Sequence, residues 1–182
     1  MTNAGNHPSR SMRFHRRVVV AMGASFLLFP TSVLAARRTQ TLFMIGRSKN
    51  ANVIHYDVRL ADGKLDIDEP MVAYWVMHAE DGRREALTWL ERELAYGFRI
   101  SSRVTNEGFR VFLKAFARRE LGVRHNSDGS YRATVRIAGQ KAALDRIFVN
   151  TDEGSAGPSV RFVDLFGTEE SSGKRVSERL EP

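Results

Sequence analysis

Apolar and polar side chains alternate with a period of two through most of the chain beyond residue 52, and this pattern restricts the fold more than any other feature. Between residues 53 and 60, Ile54, Tyr56, Val58 and Leu60 point one way while His55, Asp57 and Arg59 point the other, which describes a half-buried strand. Phe98, Ile100, Ser102 and Val104 alternate with Arg99, Ser101 and Arg103, and Tyr131, Ala133, Val135 and Ile137 alternate with Arg132, Thr134 and Arg136. Residues 71–77 are apolar on both faces, so this strand is predicted to lie centrally, with Pro70 at its start where a missing N–H does least harm. Residues 144–150 and 159–166 read as two further strands. Asp62-Gly63, Asn106-Glu107-Gly108, Asn126-Ser127-Asp128-Gly129 and Ala138-Gly139 supply the turns.

One stretch departs from the alternation. In residues 83–96, Leu87, Leu90 and Leu94 recur at helical spacing with Trp89 beside them, and Gly97 follows where a left-handed C-cap belongs. The spacing predicts one amphipathic helix packed across the sheet or plugging one end, with Trp75 and Trp89 in the core. Residues 109–121 fit a helical stripe and a strand equally well; their hairpin neighbours decide for strand. The predicted fold is mainly β: an antiparallel barrel-like or strongly curved meander sheet of seven to nine strands with one amphipathic helix.

The N-terminus reads as an export signal. Arg13, Arg16 and Arg17 precede an apolar run from residue 18 to 29, and small residues end at Ala36. A dozen apolar residues fall short of the ~20 that span a bilayer, so a cleaved peptide over residues 1–36 is expected, followed by a single β-rich domain at 37–182 with a polar C-terminal tail. The chain has no Cys, which excludes a disulfide framework and a thiolate nucleophile, and a periplasmic or secreted location is expected. Nucleic acid is disfavoured as a partner in that compartment. Residues 99–141 hold ten basic and three acidic side chains. Arg99, Arg103, Arg132 and Arg136 all fall on polar strand positions, so they are expected on one outer face. That face would either keep sheet edges from aggregating or rest against anionic membrane surface.

The segment from Leu42 to Asp57 resembles the opening of a family of exported bacterial proteins known as a domain of unknown function, DUF4833. Pro70 to Trp75, Ala95-Tyr96-Gly97, Arg146-Ile147-Phe148-Val149, and Phe166-Gly167 with Gly173-Lys174 follow the same family pattern in the same order. The resemblance implies a single secreted β-rich domain and brings no activity, cofactor or catalytic residue with it.

Candidate chemistry concentrates in the polar run from Arg47 to Asn52. Arg47, Asn50 and Asn52 on a tight loop could grip a carboxylate, phosphate or sugar hydroxyl; the competing reading is a hairpin whose asparagines satisfy their own backbone. Tyr56, Tyr74 and Tyr96 could line a cavity. Arg146 shares a face with Leu144 and Phe148 on strict alternation, so it would line that cavity or pair with a buried carboxylate such as Asp57 or Asp164. The three histidines after the signal, His55, His78 and His125, lack metal-ligand spacing, and no nucleophile elbow is present, so neither metal nor cofactor is expected. The sequence points to a non-catalytic binding or interaction domain for a small molecule, envelope polymer or protein. Its rivals are a hydrolase using His55 and Asp57 on an anionic envelope substrate, and a structural envelope component.

Overall fold

The alternating segments do pair, and they build one sheet. A computed structural model describes residues 37–154 and 157–181, so the predicted signal at 1–36 lies outside the described residues. Twelve strands are present among them: β1 (Arg37–Arg47), β2 (Asn50–Ala61), β3 (Lys64–Leu65), β4 (Met71–Val76), β5 (Arg84–Ala86), β6 (Phe98–Ile100), β7 (Gly108–Leu113), β8 (Glu120–His125), β9 (Tyr131–Ile137), β10 (Gln140–Gly154), β11 (Gly157–Glu169) and β12 (Arg175–Leu180). The order is β5-β4-β2-β1-β10-β9-β8-β7-β6, with β11 and β12 branching from β10 and β3 paired to β2. Among the described residues 62% are strand, with one short helix, and the open, strongly curved sheet forms a half-barrel.

The branch follows from the length of β10. Its first residues pair antiparallel with β9 (Gln140 opposite Ile137), and its later ones run parallel to β1 (Met44 opposite Arg146), while β11 follows the opposite edge throughout. The β1–β10 ladder is parallel, a pairing the meander reading did not contain. β1 and β9 therefore lie along the same edge of β10 without a ladder between them. The Gln40 side chain joins them instead: Nε2 donates to Tyr131 O at 2.8 Å and Oε1 accepts from Tyr131 N at 2.9 Å. Register shifts between Thr41 and Phe43, and between Leu144 and Arg146, insert Leu42 and Asp145 as bulges. Bulges bend a strand and raise its twist, which curls the sheet.

The concave face holds the core. Ile54, Tyr56 and Val58 of β2 are fully buried, as are Val111, Leu121, Ile137 and Leu165 from the rest of the sheet. Each such side chain contributes about 1.5–3 kcal/mol. Arg99 of β6, Arg103 in the connection after it, and Arg132 and Arg136 of β9 stay outside, all exposed.

Several expectations need correction. Residues 83–96 are not one helix; Arg84–Ala86 forms strand β5, and Trp89–Glu91 forms the short helix α1, continued by a wider turn over Arg92–Tyr96. Thr88 caps the helix, so Leu87 precedes it and enters the core, while Leu90 and Leu94 turn outward at 56% and 72% exposure. Trp89 is 71% exposed, not core. Gly97 is not a left-handed cap: its φ is −69°, and glycine is needed because a Cβ would lie 1.9 Å from Arg92 O. Residues 109–121 contain two strands, the end of β7 and the start of β8, separated by a helical turn at Lys114–Phe116. β4 is not the expected central, doubly covered strand: it stands second from the edge of the sheet, with only three-residue β5 outside it, and Val72, Ala73, Trp75 and Val76 are half-buried. The polar tail is itself strand β12, held to the core by Val176 and Leu180.

Candidate ligand groove

The β1–β2 turn is fixed by β10. Ser48 N donates to Val149 O at 3.0 Å, and Ser48 Oγ accepts from Thr151 N at 2.9 Å. Lys49, with φ of 60°, completes the turn, and Asn50 Oδ1 accepts from Asn52 N at 2.9 Å. Asn52 Oδ1 accepts from Ala79 N at 2.9 Å, which ties the turn to the chain beyond β4. Arg47, the last residue of β1, is thereby presented beside the helical segment.

Glu91 organises that segment. Its Oε2 accepts from Thr88 N at 2.7 Å and Thr88 Oγ1 at 2.9 Å, while Thr88 Oγ1 accepts from Glu91 N, a reciprocal capping box that satisfies donors at the helix start. Its Oε1 accepts from Trp75 Nε1 at 2.9 Å, so the same carboxylate pins α1 to β4. Partial burial pushes the Glu91 carboxyl up, but hydrogen bonds from Thr88 and Trp75, with the charge of Arg47, more than offset it and hold it below the usual range. Tyr56 fixes the far end: its buried hydroxyl donates to Tyr96 O at 2.8 Å while its ring stacks on Phe43.

Between this segment and the ends of β10 and β11 runs a groove of about 360 Å3. Leu90 and Leu94 form one wall, Val149 and Val160 the other, and Arg47 and Glu91 bring charge into it. Tyr96 lies beside Arg47; burial raises its hydroxyl pKa, and the guanidinium only partly opposes this. Arg47 makes no salt bridge among the described residues, and both Glu91 oxygens are already engaged. A second groove, of about 290 Å3, holds Asn50, Asn52 and Trp75 and meets the first at Glu91.

Four predicted site residues therefore gather around Glu91: Arg47 and Tyr96 in the first groove, Asn50 and Asn52 in the second. Tyr56 is core beneath them. Tyr74 and Arg146 stand elsewhere, on the convex face. The bulge at Asp145 rotates Arg146 off the face of Leu144 and leaves it exposed, 5.7 Å from the Phe148 ring centroid and 5.0 Å from that of Phe166. It pairs with neither proposed carboxylate: Asp164 takes Arg179 in two 2.8 Å bonds, and Asp57 takes Tyr74. Leu90, Leu94, Glu91, Val149 and Val160 were missed by sequence reading. Thr88-x-x-Glu91 was the available signal, since this spacing marks a helix start and would have turned the two leucines outward.

On the convex face, Asp57 is 1% exposed and accepts from Tyr74 Oη at 2.7 Å, while its Oδ1 has no partner. His55 stacks on Tyr74 at 5.8 Å, and Arg84 lies 4.6 Å from the centroid of the same ring. Burial lowers the His55 pKa, with Asp57 opposing and His78 and Arg84 adding to it. Among the described residues no cluster of three or more His, Asp and Glu forms a metal site.

The described residues therefore form an open, β-rich half-barrel with a half-apolar groove beside its helical segment and a buried carboxylate on its convex face. Residues 43–179 match the family described as a domain of unknown function, DUF4833, and the chain belongs to that family. No curated protein and no solved structure matches the chain.

Proposed function

We propose that this protein is a non-catalytic binding domain, exported by the peptide at residues 1–36 to the periplasm or the exterior, and that its ligand is a small amphiphile with an acidic head. The observation that carries the reading is the groove itself. Leu90 and Leu94 remain exposed on a segment that the capping box and the Tyr56 bond tie to the sheet, and Arg47 lines the same groove without a direct salt bridge, only the charge of Glu91 standing near it. An apolar wall costs free energy when left in water, and a guanidinium favours carboxylate or phosphate. A ligand carrying both satisfies both. The hydrolase alternative gains less support: Asp57 is turned to Tyr74, and His55 lies against the Tyr74 ring.

The test is titration with a medium-chain fatty acid and with the alcohol of equal chain length, followed by the fluorescence of exposed Trp89. The acid should bind more tightly, and Arg47→Ala should erase the difference between the two while Leu94→Ser weakens both. Equal binding of acid and alcohol to the wild type, or no binding of either, overturns the reading.

A further inference from the structure

The convex face of β6–β9 holds an arrangement that folding alone does not favour. Arg124 of β8 lies directly opposite Arg132 of β9, both exposed, and neither has a carboxylate partner among the described residues. Like charges facing one another across a ladder are destabilising. Of the nearby acids, Glu120 accepts from Ser101 and Arg110, Glu178 takes Arg119, Asp128 accepts from Ser130 while feeling the charge of Arg132, and Glu107 lines the notch beside Arg110 and Arg124 without a salt bridge to either. Arg99 on β6 lies over the Phe112 ring, with its centroid at 5.1 Å, and Arg103 follows it, exposed. Gly122 sits between Arg110 and Arg124, opposite Arg110 and two residues before Arg124, leaving a shallow notch of about 270 Å3 between the two guanidiniums.

We infer that this face docks on a membrane surface rich in anionic phospholipid, with headgroup phosphates lying among Arg99, Arg110, Arg124 and Arg132. The cations spread over four neighbouring strands, a breadth of about 15 Å, as a two-dimensional array and not along a track. An array of this kind matches a plane of phosphates. A single nucleic-acid strand would need a groove with aromatic rings on which bases stack, and the ring on this face, Phe112, is already covered by Arg99. The inference stands apart from the groove near Arg47 and does not depend on what that groove binds.

Arg132→Glu separates docking from folding, because it replaces a repulsive cross-strand pair by an attractive one with Arg124. Co-sedimentation is measured with vesicles of phosphatidylglycerol and phosphatidylcholine and with vesicles of phosphatidylcholine alone. The wild type should bind the first, leave the second, and release as salt is added. Arg132→Gln should lower partitioning about fivefold, and Arg132→Glu further, while the melting temperature of Arg132→Glu holds or rises. Undiminished partitioning of both variants overturns the inference, as does equal binding to the two vesicles. Two further results also overturn it: release by inorganic phosphate well beyond that by chloride at equal ionic strength, which would mark an isolated phosphate site, and binding to duplex DNA without binding to vesicles.

Discussion

Tyr74 donates its hydroxyl at 2.7 Å to the one oxygen of Asp57 that has any partner, and it does so where Asp57 is 1% exposed. Tyr74→Phe would leave a buried carboxylate without a donor, at a cost of about 1.5–3 kcal/mol, because a bond to a charged group is lost without water to replace it. Asp57→Val in the same background should recover much of that loss, since removing both polar partners is less damaging than removing one. Chemical denaturation of the two variants checks this. A single variant Tyr74→Phe as stable as the wild type would show that the pair contributes nothing.

His55 gives the convex face a pH response. Burial lowers its folded pKa below the unfolded value of about 6.5, so the unfolded chain binds its proton first as pH falls. The contribution of His55 is therefore full above the unfolded pKa and is lost between that value and the lower folded one. His55→Gln should flatten the stability curve across that window and leave it unchanged at more alkaline pH, as measured by urea unfolding at a series of pH values.

The strands were legible because each buries one face, and that requirement writes a period of two into the residues themselves. Ile54, Tyr56 and Val58 are buried in the order that the alternation specifies, and Arg99, Arg132 and Arg136 lie outside as it requires. Two things were not legible. Bulges at Leu42 and Asp145 shift the alternation by one, so strict alternation places Arg146 on the wrong face. The helical segment misled for a different reason: three leucines at helical spacing indicate a stripe but not which side of it finds a partner. Thr88 starts the helix after Leu87, so the stripe divides between core and groove. Of the site, the polar turn at Arg47–Asn52 could be read, whereas the apolar walls come from β10, β11 and the helix, which only the fold brings together.

Arg119 and Glu178 tie β12 to the far half of the sheet. Nη1 and Nη2 of Arg119 donate to the two carboxylate oxygens at 2.7 and 2.5 Å, and Glu178 also accepts from Ala138 N at 2.8 Å. The Arg119 bond, with a smaller part from Ala138 and against some burial, lowers the Glu178 pKa. Its stabilisation is present above the unfolded pKa of about 4.3 and lost as pH falls through the lower folded value. Glu178→Gln should therefore be less stable than wild type at neutral pH, with the difference closing in acid. Both groups are partly exposed, so a loss of about 1 kcal/mol is expected, read from thermal unfolding at the two pH extremes.

Glu91 carries the groove, and its removal should act on binding and stability together. Glu91→Ala breaks the reciprocal cap with Thr88 and the bond from Trp75 Nε1, and loss of a cap alone costs about 0.5–2 kcal/mol. The helical segment is short and has few other ties, chiefly Tyr56 to Tyr96 and Lys114 to Glu93, so the damage should stay local: protection of the amides from Trp89 to Tyr96 against hydrogen exchange falls while that of β2 and β9 persists. Glu91→Gln separates shape from charge, because its amide oxygen still accepts from Thr88 N or Trp75 Nε1 while the negative charge beside Arg47 is gone. That variant should retain the exchange pattern and bind an acidic amphiphile more tightly than the wild type, since Arg47 then answers to the ligand alone. Weaker binding by Glu91→Gln with intact exchange protection would mean that Glu91 contacts the ligand directly, and the roles assigned to the two charges would have to be reversed.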